Sequence, residues 1–467
     1  MAPDEPTKSN VAIIGAGLAG LAAGCALAGA GFRVTLFERR PYVGGRASSY
    51  EHPGTGEVVD NCQHVLLGCC TNLIHFYEQL GVSDKIQWFD ELTFIEPGGR
   101  TSRLAPSFLP APLHAMPSFL SASSLSFTDK LAIPQALAAM VRKLPPDSNG
   151  NFLRWLQDHG QTARAIERFW KVVLVSALNE DLERISVHYA VQVFRESFLK
   201  SAPAGRMGVP RVPLSDLYSS AADFIRDRGG QVLLRSSVTA IHPHGDGATL
   251  TSSNGEQRFD YAVLAIPFQA VGGVLPADSI AGDLKHNLDK FEASPITGIH
   301  LWFDREITPL PHAVLLDRTI QWMFQKNKLH QNSSRDSQGS YIELVVSASK
   351  GLVEKSRQEI LDLAMKEMAE FFPGVQAAKL IKATVIKEIY ATYSIVPGLD
   401  THRPHAQTPW PRLFLAGDWT ATGWPATMEG AVRSGYLAAE ALTEAAGTPQ
   451  KFLVPDLPAR GLMKLFT

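Results

Sequence analysis

A short apolar run, Val11-Ala12-Ile13-Ile14, leads into Gly15-x-Gly17-x-x-Gly20 and then into an Ala- and Leu-rich stretch ending at about Gly31. Few patterns restrict a fold more. The run reads as a buried strand, the glycines as a turn too tight for side chains, and the stretch as a helix whose N-terminal N–H groups face whatever lies over the turn. A second run, Arg33-Val34-Thr35-Leu36-Phe37, ends at Glu38, 18 positions after Gly20. A carboxylate that accepts from an adenosine ribose is expected roughly 20 residues on. Gly15, Gly17, Leu18, Ala19, Gly20 and Glu38 are therefore candidate contacts to a dinucleotide. The βαβ unit alone leaves NAD and FAD open, because both carry the same adenosine half.

At 467 residues the chain exceeds what one hydrophobic core usually serves, so two domains, or one interleaved with another, are expected. Its 44 basic and 46 acidic residues give a formal charge of -2, too little field to capture nucleic acid. The four cysteines, Cys25, Cys62, Cys69 and Cys70, form no C-x-x-C pair, which fits a reducing cytoplasm. No apolar run reaches the roughly 18 residues of a membrane span, and the polar N-terminus up to Asn10 is unlike a signal peptide. Peripheral attachment to the inner face of the membrane stays open. His242 and His244 lie one strand step apart with no third ligand nearby, so no metal is expected.

Farther along, Val232-Leu233-Leu234, Val238-Thr239-Ala240-Ile241 and Tyr261 to Ile266 continue the strand style of the first domain. Residues 151–200 read as helical. Strands are expected near Thr297 to Phe303 and Tyr341 to Val346, a helix near Ser356 to Phe371, and a last strand and helix at Leu413 to Asp418 and Gly430 to Ala445. Between Leu104 and Leu144, Pro, Ser, Leu, Phe and Met dominate and charges are sparse.

The choice of cofactor turns on Glu38-Arg39-Arg40-Pro41-Tyr42-Val43-Gly44-Gly45-Arg46, where a second glycine turn follows the ribose carboxylate. Two such turns suit a long dinucleotide. This segment, with Leu413-Phe414-Leu415-Ala416-Gly417-Asp418 and Trp424 to Ala431, resembles the amine oxidase and phytoene desaturase superfamily of flavoproteins. The resemblance implies that FAD is held by Arg39, Gly44, Gly45 and Arg46 along the pyrophosphate, by Gly417 and Asp418 near the ribityl chain, and by Thr427, Met428 and Ala431 at a helix start facing the flavin ring. Val238 reads either as a backbone contact to adenine or as core.

Val59-Asp60-Asn61-Cys62-Gln63-His64 through Cys70, with Leu174 to Asn179 and Val209 to Ser215, resembles the hydroxysqualene dehydroxylases, also called squalene-associated FAD-dependent desaturases. Members commonly carry Gly where this chain has Cys62, so the backbone there does not demand a glycine-only conformation. A small packing role suits Cys62, Cys69 and Cys70, since no resolving thiol is evident.

This resemblance implies hydride transfer from reduced flavin to hydroxysqualene with loss of water, giving squalene, and therefore an external reductant that the residues do not identify. It adds Gln63 and His64 to the flavin contacts. His64 reads either as the proton donor or as a structural histidine, and Asp60 either as its orienting partner or as a turn anchor. The 104–144 stretch is either an ordinary helical lobe or a lobe that touches the bilayer with residues such as Phe108, Leu113, Met116, Phe119 and Leu120 and admits a lipid substrate, with Lys130, Arg142 and Lys143 at its rim. A carotenoid-type desaturase and a lipid-binding escort protein without redox work are the alternatives.

The expected architecture is α/β. A discontinuous Rossmann-type FAD-binding domain (1–100, 205–275 and 405–450) joins a mixed-sheet and helical substrate domain (101–204 and 276–404), followed by a C-terminal tail (451–467).

Overall fold

The computed structural model describes residues 9–141, 144–330 and 339–466. Its cofactor half is a five-stranded parallel sheet. Strand β1 (Asn10–Ile14) lies between β2 (Arg33–Phe37) and Tyr261–Leu264, with Gln231–Leu233 and Leu413–Leu415 at the two edges. Val11, Ala12 and Ile13 are fully buried, as a parallel strand covered on both faces requires, which is why these strands are apolar throughout rather than alternating.

Helix α1 (Leu18–Gly29) is buried from Leu18 to Ala28 and hydrophobic all round. It packs against the C-terminal helix Met428–Ala445 through small residues. A Cβ on Gly435 would stand 2.3 Å from the Ala19 carbonyl oxygen, so the two backbones meet only because that position is glycine.

The substrate half is a seven-stranded sheet, antiparallel except where His312–Leu315 runs parallel to Leu92–Ile95. The helix Arg357–Phe371, opened by a capping box between Ser356 and Glu359, contributes Ile360, Ala364 and Met368 to its core. A helical lobe including Phe127–Met140, Lys171–Leu178 and Val187–Phe194 shares a core with the rim of the cofactor sheet. Among the described residues no helix is long and apolar enough to cross a membrane.

Two boundaries differ from expectation. Leu92–Ile95 and its partner Thr101–Leu104 belong to the substrate sheet, so the first cofactor segment ends before residue 92 rather than at 100. A four-residue apolar strand carries no sign of which sheet it will join; pairing with His312–Leu315 decides it. The segment expected to be a tail is a strap. Phe452 and Leu453 pack on the cofactor core, Asp456 pairs with Arg433, and Met463 is buried in the helical lobe. Arg142 and Lys143, expected at the rim of that lobe, lie outside the described residues.

Candidate active site

The two glycine turns touch backbone to backbone. The Gly44 N–H donates to the Ala16 carbonyl at 2.8 Å, and a Cβ on Gly45 would lie 2.9 Å from Gly17 Cα. Gly15 (φ +103°), Gly44 (+102°) and Gly45 (+63°) all occupy the region that favours glycine. Glu38 ties the turns together: its carboxylate accepts from the Ala16 N–H at 2.9 Å and the Arg40 N–H at 2.8 Å, and Arg40 donates to the Gly45 carbonyl. Arg39 beside it is exposed. Val238 is buried in one cluster with Phe37, close to where the Ser236 N–H donates to the Glu38 carbonyl.

Gly17 is different from its neighbours. A Cβ there would meet nothing within 4 Å, and α1 begins at Gly17 without any side-chain cap. Open space over an uncapped helix N-terminus fits the pyrophosphate of a dinucleotide, which would satisfy the free N–H groups of the first turn. The buried Leu18 and Ala19 form that turn.

The C-terminal motif closes the other side. Arg46 donates to Asp418 at 2.7 Å and to the Ala391 carbonyl at 2.8 Å, joining the second glycine turn to the motif at Gly417 and Asp418. Burial works against the guanidinium, but Asp418 and Glu388 hold it charged. Thr427 caps the last helix by accepting from the Gly430 N–H at 3.1 Å, and Met428 and the buried Ala431 follow in its first turn. Arg403, which sequence reasoning passed over, shapes this loop by donating to the carbonyls of Asp418, Thr420 and Trp424.

The segment Asp60 to His64 runs between this cradle and the substrate sheet. Asn61 donates to the Arg46 carbonyl at 3.2 Å and to Glu388 at 3.0 Å. Cys62 is buried, and burial pushes its thiol well above the ordinary value, in keeping with a packing role. His64 Nδ1 lies 2.7 Å from the Cys62 carbonyl, an acceptor only, so Nδ1 carries the proton and Nε2 the lone pair. Burial also lowers the imidazole's affinity for a second proton. In this neutral form His64 presents an acceptor at Nε2 and makes the bond of a structural histidine through Nδ1.

Asp60 does not orient His64. Its carboxylate accepts from Ser49 at 2.5 Å and from the Lys326 ammonium at 2.6 Å. Burial would raise the carboxyl, but Lys326 and Ser49 hold it down at about 2. Gln63 also turns to Lys326, its Oε1 accepting at 2.7 Å. Lys326, Glu343 and His300 were missed by the sequence reading. The signal for the latter two was a lone polar residue within an apolar strand, Ile342-Glu343-Leu344 and Ile299-His300-Leu301. Lys326 stands in the polar run Gln325-Lys326-Asn327-Lys328, which carries no such signal.

In the helical lobe lies a cavity of about 480 Å³ lined, among the described residues, by Leu, Val, Phe, Ala, Met and Pro side chains, with no charged, hydroxyl or amide group. Met116, Phe119, Phe169 and Val173 form part of its wall, and Leu462 and Phe466 reach it from the C-terminal strap. One helical turn beyond Val173, Ser176 accepts the Trp322 indole N–H at 2.8 Å. Trp322 stacks on Phe324, which packs with Cys62. A chain of packed side chains thus links the helix behind the cavity wall to the segment that carries His64.

A profile described as flavin containing amine oxidoreductase matches residues 18–443. The chain belongs to this family. FAD is its cofactor, and the open space over Gly17, the uncapped helix start and the neighbouring C-terminal motif fit such a group. The chain is 27% identical to a 15-cis-phytoene desaturase of Synechococcus elongatus over 93% of this chain and 95% of that one. Among solved structures, an oxidoreductase from Methanosarcina mazei superimposes with a TM-score of 0.71 at 15% identity, covering 93% of this chain and 100% of that one. Cyclohexylamine oxidase from Brevibacterium oxydans does so at 0.67 and 18%, covering 94% and 100%. These likenesses confirm the α/β fold with a Rossmann-type FAD-binding domain and a mixed-sheet substrate domain.

Proposed function

We propose that this FAD-dependent oxidoreductase acts on a long isoprenoid chain, and that the substrate is hydroxysqualene, converted to squalene with loss of water. The observation that carries the reading is the cavity of about 480 Å³ with no polar side chain in its wall among the described residues, which fits a hydrocarbon and offers no partner to a charged or sugar-like ligand. The segments at Val59 to Cys70, Leu174 to Asn179 and Val209 to Ser215 favour hydroxysqualene within that class. Bound FAD supplies the two-electron chemistry. The protein's part is to hold the chain in an apolar channel and keep water out; the departing hydroxyl needs a proton, which fully reduced FAD would supply together with the hydride.

The same reading brings the lobe to a membrane surface. Leu113, Leu462 and Phe466 both line the cavity and are exposed, while Phe108, Phe127 and Leu465 on the same segments are 97%, 76% and 78% exposed. The half-buried Lys130 and the exposed Lys464 add cations to this apolar face. A second reading, a carotenoid-type desaturase, is supported by the identity to the phytoene desaturase.

Anaerobic incubation of photoreduced enzyme with hydroxysqualene, followed by chromatography, tests the first reading by the appearance of squalene. Oxidised enzyme given phytoene tests the second by the growth of long-wavelength absorbance from new conjugation. Desaturation without any dehydroxylation overturns the first.

A further inference from the structure

Beneath the Asn61 to His64 segment lies a group of ionisable side chains that the cradle does not use. Lys326 is 2% exposed, and its three N–H bonds are directed at Asp60 (2.6 Å), Gln63 (2.7 Å) and Glu343 (3.2 Å). The two carboxylates are not equivalent. Asp60 is satisfied by Ser49, Lys326 and the Leu214 N–H. Glu343 is fully buried; its Oε2 lies 3.2 Å from the Lys326 ammonium as an ion pair, but neither of its oxygens has a well-aligned hydrogen bond among the described residues.

Directly across the sheet from Glu343 is His300, whose Nδ1 is engaged by Tyr341 and whose Nε2 is likewise buried without a partner. Gly298 leaves room beside it: a Cβ there would sit 3.6 Å from both His300 Nε2 and the Asn61 carbonyl oxygen. Buried polar atoms left open at a glycine-made gap are the usual setting of an internal water.

We propose that Glu343 is a proton-holding positioning residue of the flavin site, binding and releasing a proton through water in the gap beside His300 and acting on the Asn61 to His64 segment through Lys326. With the proton on Glu343, the trio of Asp60, Lys326 and Glu343 is neutral. Once the proton leaves, it carries one uncompensated negative charge in a dry interior, close to the segment that borders the FAD cradle. A negative charge there disfavours the electron-rich, reduced flavin, so the reduction potential falls when Glu343 ionises.

The groups facing Glu343 agree on the sense of its titration. Burial pushes its carboxyl up to about 7, and Asp60 adds to this, against Lys326 and the Gln63 N–H. His300 stays neutral because burial and Lys326 hold it at about 3, burial and Lys326 also hold His330 low, and the Cys62 thiol and Tyr341 phenol are pushed up by burial. Glu343 is therefore the group of this cluster that changes charge near neutral pH.

Infrared difference titration of the native holoenzyme, with carbon-13 in its glutamate side chains, tests the proton. A protonated-carboxyl band should be present at pH 5 and lost on passing through neutrality. Spectroelectrochemistry tests the coupling. The flavin potential of the native protein should show an added pH-dependent fall over that same interval, absent from Glu343→Gln, with Tyr and Trp fluorescence confirming that the variant is folded. A native protein without the band at pH 5, or a potential curve that Glu343→Gln reproduces, overturns the proposal. Should the variant not fold, coincidence of the infrared and potential midpoints in the native protein decides the matter, and separate midpoints overturn it. Neither measurement involves a substrate, so the outcome is independent of the hydroxysqualene reading.

Discussion

Replacing Gly17 by valine separates the needs of the fold from those of the cofactor. Its backbone, at φ -72° and ψ 174°, is open to any residue, and an added Cβ meets nothing within 4 Å. Loss of glycine at a helix N-cap costs about 1 kcal/mol, equivalent to a few degrees in melting temperature. FAD fares otherwise. The valine methyls would stand in the space over the uncapped first turn, displacing a phosphate from about two charge-assisted N–H bonds worth roughly 1.5–3 kcal/mol each. The dissociation constant should therefore rise by about 10²–10⁴-fold.

Flavin fluorescence during reconstitution of stripped protein measures that affinity, and melting of the stripped protein measures the fold. Gly20→Ala is the contrast. Its Cβ would stand 1.9 Å from the Gly15 carbonyl oxygen, so it should destabilise the stripped protein itself. If Gly17→Val kept FAD within tenfold of the native affinity, or lost as much stability as Gly20→Ala, the assignment of the open space over Gly17 to the pyrophosphate would be wrong.

Lys326→Met leaves Asp60 and Glu343 buried without their cation, and a loss of about 3–5 kcal/mol in urea denaturation is expected; a loss below about 1 kcal/mol would mean the trio contributes little. Stability should also depend on pH through Glu343. Its carboxyl is raised from 4.5 to about 7 in the folded state, so its contribution is complete below pH 4.5 and fades as pH climbs through 7, on the order of 3 kcal/mol. Asp60, lowered from 3.8 to about 2, acts oppositely, its contribution standing above pH 3.8 and lost as pH falls through 2. Urea midpoints across this range, native against Glu343→Gln, check both signs; a native curve that does not fall between pH 5 and 8 refutes the first. Val173→Trp should fill the cavity from the helix Lys171–Leu178, abolishing turnover of a long isoprenoid while FAD content and melting temperature hold; undiminished turnover would place the substrate elsewhere.

The elements that sequence reading located best are those built from neighbours. Asn10–Ile14, Leu18–Gly29 and Arg33–Phe37 declared themselves because a period-free apolar strand, a glycine turn and an all-apolar helix are each local patterns, and Glu38 follows by spacing alone. The Gly44-Gly45-Arg46 turn and the Gly417-Asp418 motif were legible for the same reason. That Arg46 and Asp418 pair with each other was not, because 372 positions separate them.

What the amino-acid order determined by itself was the βαβ dinucleotide unit, since it depends on short-range glycine, apolar and carboxylate spacing; the choice of FAD came from the resemblance of the later glycine motifs. Tertiary structure alone decided that Asp60 serves Lys326 rather than His64, that Glu343 is buried with Lys326 as its ion-pair partner, that the C-terminal strap walls the cavity, and that Leu92–Ile95 joins the substrate sheet. The physical reason is range. Turn and helix preferences act over a few residues, whereas the charge state of a buried group and the shape of a cavity are set by whichever distant segments packing brings into contact.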